Sequence, residues 1–157
     1  MNLRVLENRF FGGVRDARAA DIAQREVRRW NPSVVSEHKY CLLTSYRKDG
    51  TPVSTPVWFG IEGERLYVRS GGQDWKVKRI RRNPRVLVAP CTARGRPVGD
   101  PMVGVARVLD PDEWPRAESA LRAHYGLGRK LYRLSRRRLD VAYLEISAPG
   151  EATSSAT

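Results

Sequence analysis

The sequence is short of residues that carry out chemistry on their own. Its 157 residues include two histidines and two cysteines, and they contain no Cys-x-x-Cys, His-Glu-x-x-His, Gly-x-Ser-x-Gly or Walker motif. Hydrolase, zinc-centre and nucleoside-triphosphatase interpretations therefore lose support, and the residues predict neither a metal site nor a catalytic side chain. His38 and His124 have no obvious partner and are interpreted as surface or packed residues. A protein of this kind either binds a ligand or takes its chemistry from a cofactor.

Long apolar runs are missing as well. No stretch is long and apolar enough to span a bilayer, and residues 1–18 lack an apolar run of signal-peptide length. We therefore expect a cytoplasmic protein with no membrane partner. Cys41 and Cys91 are far apart, and each lies in an apolar run. This placement favours reduced, buried thiols over a disulfide framework or a metal site.

Positive charge is what the sequence has in excess. Lys and Arg number 29 against 17 Asp and Glu, which gives a net charge of +12, and the pI is about 10.5. The cations are concentrated in two blocks, 69–100 and 115–138. Such a field attracts polyanions. Because no recognisable nucleic-acid-binding motif accompanies the blocks, a nucleic-acid-binding module is a minor alternative and no nucleic-acid partner is predicted.

The apolar spacing and the turn residues predict six strands and four helices. The strands are predicted over 39–46, 52–60, 64–70, 85–91, 101–110 and 140–147, and the helices over 14–30, 74–84, 110–126 and 127–138. Asp74 is expected to cap the second helix, and Pro84 to end it. Six strands with sparse helices predict a mainly β protein, a six-stranded antiparallel β-barrel with peripheral helices, because closure removes sheet edges. The predicted organisation is a helical extension (1–37), the barrel domain (38–147) and a disordered tail (148–157).

One predicted strand contains two prolines. The segment GTPVSTPVWFG at 50–60 carries Pro52 and Pro56, which cannot donate to a strand ladder. They indicate either an edge strand or a backbone that faces a ligand instead of a neighbouring strand. Because successive side chains point to opposite faces, one set can fill a barrel while the other presents small and polar groups. The two sets are Val53, Thr55, Val57 and Phe59 on one face and Ser54, Pro56 and Trp58 on the other.

A phosphate-binding position is predicted at the start of the helix near residue 75. Lys76 lies in its first turn, where unpaired backbone amides and the helix dipole favour an anion. Arg69 ends the preceding strand, so the two side chains together form a candidate phosphate clamp. The other cations of this helix are interpreted as its solvated face: Lys78, Arg79, Arg81 and Arg82.

Four sequence blocks in order resemble a known superfamily. They are G-x-P-x-x-T-P-V-W-F, then LYVR, then KVKRIRRNPRV, then APC-x-x-RGRP. This order resembles the split-barrel flavin and deazaflavin oxidoreductases, the superfamily of pyridoxamine-phosphate oxidase, and within it the F420-dependent actinobacterial branch. The resemblance covers about 38–147 and implies a split barrel of the FMN-binding type.

The resemblance implies a cofactor and places it. In this superfamily the cofactor lies at a homodimer interface, with its ring system against the strand that matches 52–59 and its phosphate near the position of Lys76. The implied cofactor-binding residues are Ser54, Thr55, Pro56, Val57, Trp58, Arg69 and Lys76. The implied activity is hydride transfer between coenzyme F420 and an unknown small-molecule substrate. The basic blocks suit the polyglutamate tail of F420 better than they suit FMN, which carries a single phosphate.

The sequence also allows other functions, and two of its residues differ from the superfamily pattern. The chain can also be an FMN-dependent oxidoreductase or oxidase, or a non-catalytic binder of a cofactor or haem-type ligand. Asp74 places a negative charge beside the predicted phosphate site, and Trp75 stands where relatives have a small residue. We expect a homodimer, because four aromatic side chains of the barrel cannot all point inward and an outward patch marks an interface. They are Trp58, Phe59, Tyr67 and Tyr143.

Overall fold

The computed structural model describes residues 17–125 and 140–150, which form one curled antiparallel sheet with helices on it. The strands are β1 (Tyr40–Tyr46), β2 (Pro52–Val57), β3 (Phe59–Glu62), β4 (Arg65–Gly71), β5 (Arg85–Cys91), β6 (Met102–Val108) and β7 (Val141–Ser147). Their order across the sheet is β2-β1-β5-β6-β7-β4-β3. The helices are α1 (Trp75–Arg82) and α2 (Trp114–Tyr125), and short 3₁₀ segments occupy Ala17–Gln24, Pro32–Val35 and Pro111–Glu113. The predicted mainly β, split-barrel fold is confirmed.

The two edge strands of the sheet are consecutive in the chain. Among the described strands, β2 pairs only with β1 and β3 pairs only with β4, and the single residue Trp58 separates them. The sheet must therefore curl until its two edges meet at Trp58. The prediction of a single strand over 52–60 is wrong for this reason, and the described residues hold seven strands instead of six. The strand with Pro52 and Pro56 is a true edge, where missing ladder donors cost little.

The inner face of the curled sheet holds the largest apolar cluster. Every strand contributes to it, and α1 closes one end of the barrel by burying Val77 and Ile80. Trp30 packs into the same cluster, and a Cβ on Gly104 would lie only 2.8 Å from its ring. The indole Nε1 of Trp30 donates to the backbone carbonyl of Glu64 at 2.8 Å. Trp30 thus fixes the turn between β3 and β4 against the barrel core.

Helix α2 covers the outer face of β3, β4 and β7. Tyr67 and Tyr143 are fully buried beneath it with Leu121, and Phe59 lies in the barrel core. A Cβ on Gly60 would collide with the backbone of α2, so glycine permits this close approach. The prediction of an exposed aromatic patch is therefore wrong. Helix α2 of the same chain covers Tyr67 and Tyr143, and of the four aromatic residues only Trp58 remains half-exposed.

The first predicted helix, 14–30, is only partly correct. A 3₁₀ segment occupies Ala17–Gln24, and it buries Ala19 and Ile22 against the outer face of β1 and β5. Beyond it the chain is extended, because the amide of Arg28 donates to Pro101 O at 2.7 Å and its carbonyl accepts from Val103 N at 3.2 Å. The 3.6-residue apolar spacing was misleading here. Residues 14–16 of that prediction lie outside the described residues.

Most other elements match their predictions. Helix α1 follows Asp74 and ends before Pro84, α2 follows the turn at Pro111–Glu113, and β7 alternates as expected. The predicted helix over 127–138, and the predicted tail beyond residue 150, lie outside the described residues. Both cysteines are buried and free, as predicted, and burial raises the pKa of the Cys91 thiol to about 12. Among the described helices, none is long and apolar enough to cross a membrane.

Candidate functional site

The edge strand β2 presents two unlike faces, as its alternation predicts. Val57 is buried in the barrel core opposite Cys41, and Thr55 is half-buried on the same face. Ser54 and Pro56 lie on the outer face. The hydroxyl of Ser54 is buried and shares a 2.8 Å hydrogen bond with Thr44 of β1. Of these four predicted cofactor-binding residues, only Thr55 and Pro56 are partly accessible.

The outer face of β2 has neighbours from the same chain. The 3₁₀ segment Ala17–Gln24 contacts β2, and a Cβ on Gly95 would lie 3.4 Å from both Pro56 and Leu42. Gly95 has a φ of +85°, a conformation that favours glycine. The turn at Gly95 therefore rests on the face that carries Ser54 and Pro56. The exposed end of the strand is at Pro52, and the half-exposed Trp58 follows its buried end at Val57.

Trp58 is surrounded by aromatic rings where the two sheet edges meet. Its ring centroid lies 6.5 Å from that of Tyr40 and 5.2 Å from that of Tyr125. The hydroxyl of Tyr125 accepts from Phe59 N at 2.8 Å and donates to Lys39 O at 2.7 Å. We call Tyr40, Trp58 and Tyr125 the aromatic seam. The sequence analysis missed Tyr125, because its partners are 66 and 86 residues away.

His124 is not an isolated side chain. Its Nε2 lies 2.8 Å from the carbonyl oxygen of His38, and its ring packs on Phe59 at 4.3 Å and edge-on to Tyr125 at 4.8 Å. A carbonyl can only accept, so Nε2 is the donor. The interpretation of His124 as a packed residue agrees with these contacts. The sequence did not reveal its partner, because α2 brings the imidazole to the backbone of His38.

The turn before α1 holds Lys76 beside Asp74. The Nζ of Lys76 lies 3.0 Å from Oδ2 of Asp74, and the same oxygen accepts from Ser70 Oγ at 2.8 Å and Gly71 N at 3.0 Å. Burial alone would raise the pKa of the Asp74 carboxyl, but Lys76 and these hydrogen bonds together hold it below its ordinary value. Asp74 occupies the N-cap position, yet its carboxylate makes no hydrogen bond to an amide of the helix.

Arg69 and Trp58 lie at the same level of the barrel. In the β3–β4 register Phe59 pairs with Val68, so one further step places Trp58 opposite Arg69. Both positions belong to the outer face, since Arg69 also pairs with Tyr143 of β7. The register thus places these two predicted residues at neighbouring positions on the outer face. It places Lys76 beyond the end of β4, on the other side of the turn that Asp74 organises.

The solvated face predicted for α1 is correct except at one position. Lys78, Arg81 and Arg82 are exposed, whereas Arg79 is half-buried and its Nε donates to the buried hydroxyl of Ser45 at 2.7 Å. Arg79 therefore ties α1 to β1. This contact joins residues 34 positions apart, which the helical pattern alone does not reveal.

Trp75 is the most exposed large apolar side chain described. It is 60% exposed, and the Nζ of Lys78 lies 4.6 Å from its ring centroid. The start of α1 therefore presents an indole and several cations to solvent.

The residues at the start of α1 fit a phosphate group. The Lys76 ammonium has three protons and gives one to Asp74, so two donors remain. The first-turn amides are not capped by the Asp74 carboxylate, and amides at a helix N-terminus favour an anion. The charge of Asp74 opposes this and lowers the expected affinity. A ring system would have to lie at the aromatic seam, because Ser54 and Val57 are buried.

A pocket of about 360 Å³ lies elsewhere, between the β3–β4 turn and the end of α2. Its lining includes Asn31, Ser33, Ser36, Glu64 and His124. None of the seven predicted cofactor-binding residues lines it. Along β4 this pocket and the start of α1 are about 20 Å apart, given roughly 3.3 Å per strand residue.

A family model described as Pyridoxamine 5'-phosphate oxidase matches residues 31–148 of the chain. This range contains all seven strands and both described helices. It also contains each of the seven predicted cofactor-binding residues. A search of curated proteins found no match.

Solved structures with the same fold include proteins that bind different ligands. HutZ, a haem storage protein from Vibrio cholerae, is 14% identical with a TM-score of 0.59 over 77% of this chain and 91% of its own. A FAD-binding protein from Mesorhizobium loti is 19% identical with a TM-score of 0.53 over 74% and 84%. An F420 reductase is 19% identical with a TM-score of 0.52 over 79% and 97%. At these identities the likeness concerns the fold.

Proposed function

Because the chain belongs to the pyridoxamine 5'-phosphate oxidase family, we propose that it binds coenzyme F420 and transfers a hydride between this deazaflavin and a small organic substrate. The observation that carries the proposal is the start of α1, where Lys76 and uncapped backbone amides can hold a phosphate. An F420 reductase and a FAD-binding protein with the same fold support a cofactor of this general shape.

The choice of F420 over FMN rests on charge. Beyond its phosphate, F420 carries a tail of γ-linked glutamates, whereas FMN ends at one phosphate. Lys78, Arg81 and Arg82 are exposed on the helix that begins at the proposed phosphate site. Several cations in line with a phosphate-binding amide cluster favour a polyanionic ligand over a singly phosphorylated one.

Each proposed contact has a distinct role. Lys76 neutralises the phosphate, while Asp74 holds the lysine in place and weakens the site by its own charge. The aromatic seam offers Trp58 as a flat, half-buried surface that orients a ring system and keeps water from one side of it. The bound deazaflavin supplies the hydride chemistry, so no acid or base from the protein is required for the redox step.

A homodimer is part of the proposal. The family resemblance implies a shared site, and the half-exposed Trp58 and the 60% exposed Trp75 lie near the two proposed ends of the cofactor. A second copy covering them would exclude water from the ring system. Light scattering of the full chain is expected to give the mass of a dimer, and a monomer that binds cofactor would rule out a shared site.

Titration of the purified protein with F420, FMN and haem tests the function. We expect F420 to bind more tightly than FMN, with an affinity that falls as salt is raised. FMN binding that equals or exceeds F420 binding would contradict the choice of cofactor. Haem binding without F420 or FMN binding would favour the non-catalytic alternative.

Two variants test the phosphate site within the same titration. Lys76→Ala should weaken F420 binding by about tenfold or more, since a charge-assisted contact is worth roughly 1.5–3 kcal/mol. Arg82→Ala is the comparison variant. Among the described residues this exposed arginine bonds to Tyr46 O at 3.3 Å, and it belongs to the cationic face proposed to meet the tail. It should therefore lower F420 affinity less than Lys76→Ala does and leave FMN affinity unchanged. Asp74→Asn should tighten binding. Loss of affinity in the Arg82 variant alone would show that the phosphate lies elsewhere.

A further inference from the structure

The 360 Å³ pocket at the β3–β4 turn is lined by polar side chains that nearly all accept hydrogen bonds. The hydroxyl of Ser33 donates to Asn31 Oδ1 at 2.6 Å, and the hydroxyl of Ser36 donates to Ser33 O at 2.7 Å. Each hydroxyl has one proton, so these two can offer a ligand only their lone pairs. The Nε2 of His124 donates to His38 O, so this nitrogen offers a ligand no further proton.

Glu64 adds a full negative charge to the pocket. Its carboxylate makes no hydrogen bond or ion pair with any residue in 17–125 or 140–150. Its backbone is fixed, because the carbonyl accepts from Trp30 Nε1 and Gly63 takes the tight turn with a φ of +60°. The nearest arginine along the chain, Arg65, turns away and pairs with Glu145 at 3.1 Å.

The charge of the pocket lining is opposite in sign to the net charge of the protein. In a chain of net charge +12, this pocket gathers one carboxylate and several acceptors, while the Asn31 amide brings the NH₂ donor on its side chain. Pro32, Ile61 and Ala123 supply apolar walls. A volume of 360 Å³ lies within the range of small-molecule sites.

We propose that this pocket is a binding site for a small organic ammonium ion. The ammonium group donates to the Glu64 carboxylate and to the serine oxygens, and its alkyl part packs on the apolar wall. Anions are rejected, because the pocket would leave an anion facing a carboxylate and lone pairs. The site is separate from the proposed cofactor contacts and does not depend on them.

Titration with butylammonium chloride tests this proposal. The indole Nε1–H of Trp30, which donates to Glu64 O, serves as the reporter in ¹H–¹⁵N correlation spectra. We expect butylammonium to shift this resonance in a saturable manner, and 1-butanol and sodium butyrate at the same concentrations to leave it unchanged. Butyrate or butanol binding as well as butylammonium, or no saturable shift with any of them, would overturn the proposal.

Glu64→Gln should weaken butylammonium binding by about two- to fivefold, because it removes the charge and keeps the shape, and ion pairs of an exposed carboxylate are weak. Glu62→Gln is the matched control, since Glu62 pairs with Arg116 at 3.3 Å and does not line the pocket. It should bind like the parent. The Glu64 side chain supports no described contact of the fold, so the Trp30 resonance of the unliganded variant checks that folding is intact. Equal affinity of the Glu64 variant and the parent would also overturn the proposal.

Discussion

The two ends of strand β4 differ in the charge that they present and in how they contribute to the barrel core. At its start, the β3–β4 turn is fixed by the buried Trp30 and opens beside a pocket rich in acceptors, with Glu64 as its charge. At its end, α1 closes the core with Val77 and Ile80 and presents exposed cations and an exposed indole to solvent. We call these the turn end and the α1 end.

The difference shows that a chain of one dominant charge can still present groups of both signs at its surface. At the turn end the buried Trp30 holds the backbone of Glu64, so the packing of the core fixes one wall of the pocket. At the α1 end, apolar residues plug the barrel while neighbouring positions of the same helix, such as Lys78, point outward. We therefore expect substitution of Trp30 at the turn end to cost stability, and substitution of the exposed residues at the α1 end to cost little.

The largest expected effect is at the turn end. Trp30→Ala should lower the free energy of unfolding by about 3–5 kcal/mol, because it empties a site filled by a buried aromatic ring and frees Glu64 O. Urea denaturation followed by circular dichroism measures it. Trp75→Ala is the control at the α1 end, and its 60% exposure predicts a change within about 0.5 kcal/mol. Similar costs for the two variants would remove the distinction between the ends.

A smaller effect is expected between the two ends, at the aromatic seam. Tyr125→Phe keeps the ring but leaves the Phe59 amide and Lys39 O without their hydroxyl partner, which should cost about 1–3 kcal/mol. Tyr40→Phe is the matched control, because the Tyr40 hydroxyl makes no hydrogen bond to any of the described residues. The same denaturation experiment compares them. An unchanged Tyr125 variant would mean that the hydroxyl does not hold the strand edges together.

The smallest expected effect is a pH-dependent change in folding stability that arises from Asp74 at the α1 end. The folded protein holds the pKa of Asp74 below its ordinary value of 3.8, so the ionised carboxylate stabilises the fold above that pH. This stabilisation should fade as the pH falls through the lowered pKa. Because the Asp74 side chain is 46% exposed, we expect this stabilisation to be below about 1 kcal/mol.

Thermal melts of the parent and Asp74→Asn from neutral to acidic pH measure this contribution. The gap between the two melting temperatures should close on acidification, and Ser70→Ala should give an intermediate profile. A gap that is constant with pH would show that the Asp74 charge does not act on stability.

Local patterns predicted the elements whose cause is local. Helix α1 follows from the apolar spacing of Val77 and Ile80 between Asp74 and Pro84, and the alternation along 141–147 separates the core side of β7 from the side under α2. The basic face of α1 also follows from spacing, apart from Arg79, whose partner lies in a distant strand. The resemblance of four sequence blocks led to the family that the comparison supports.

The remaining features depend on contacts that no local pattern contains. The division of 52–60 at Trp58 arises because the sheet curls until its edges meet, and the residues on either side carry no turn signal. The extended course near Arg28 depends on Met102, 74 positions away. The pocket at the turn end joins three separated segments of the chain, so neither its volume nor its excess of acceptors could be read from any one of them.

The place of β7 in the sheet governs the order in which the barrel can assemble. It lies between β6 and β4, so it joins the four-stranded unit β2-β1-β5-β6 to the hairpin β4-β3. A chain emerging from the ribosome can pair these two units internally, yet it cannot connect them by hydrogen bonds until residues 141–147 are free. Closure of the barrel is therefore a late event dominated by pairing between distant segments, which slows folding. During that interval the open edges of β6 and β4 are the surfaces that a nascent chain has to protect from other strands.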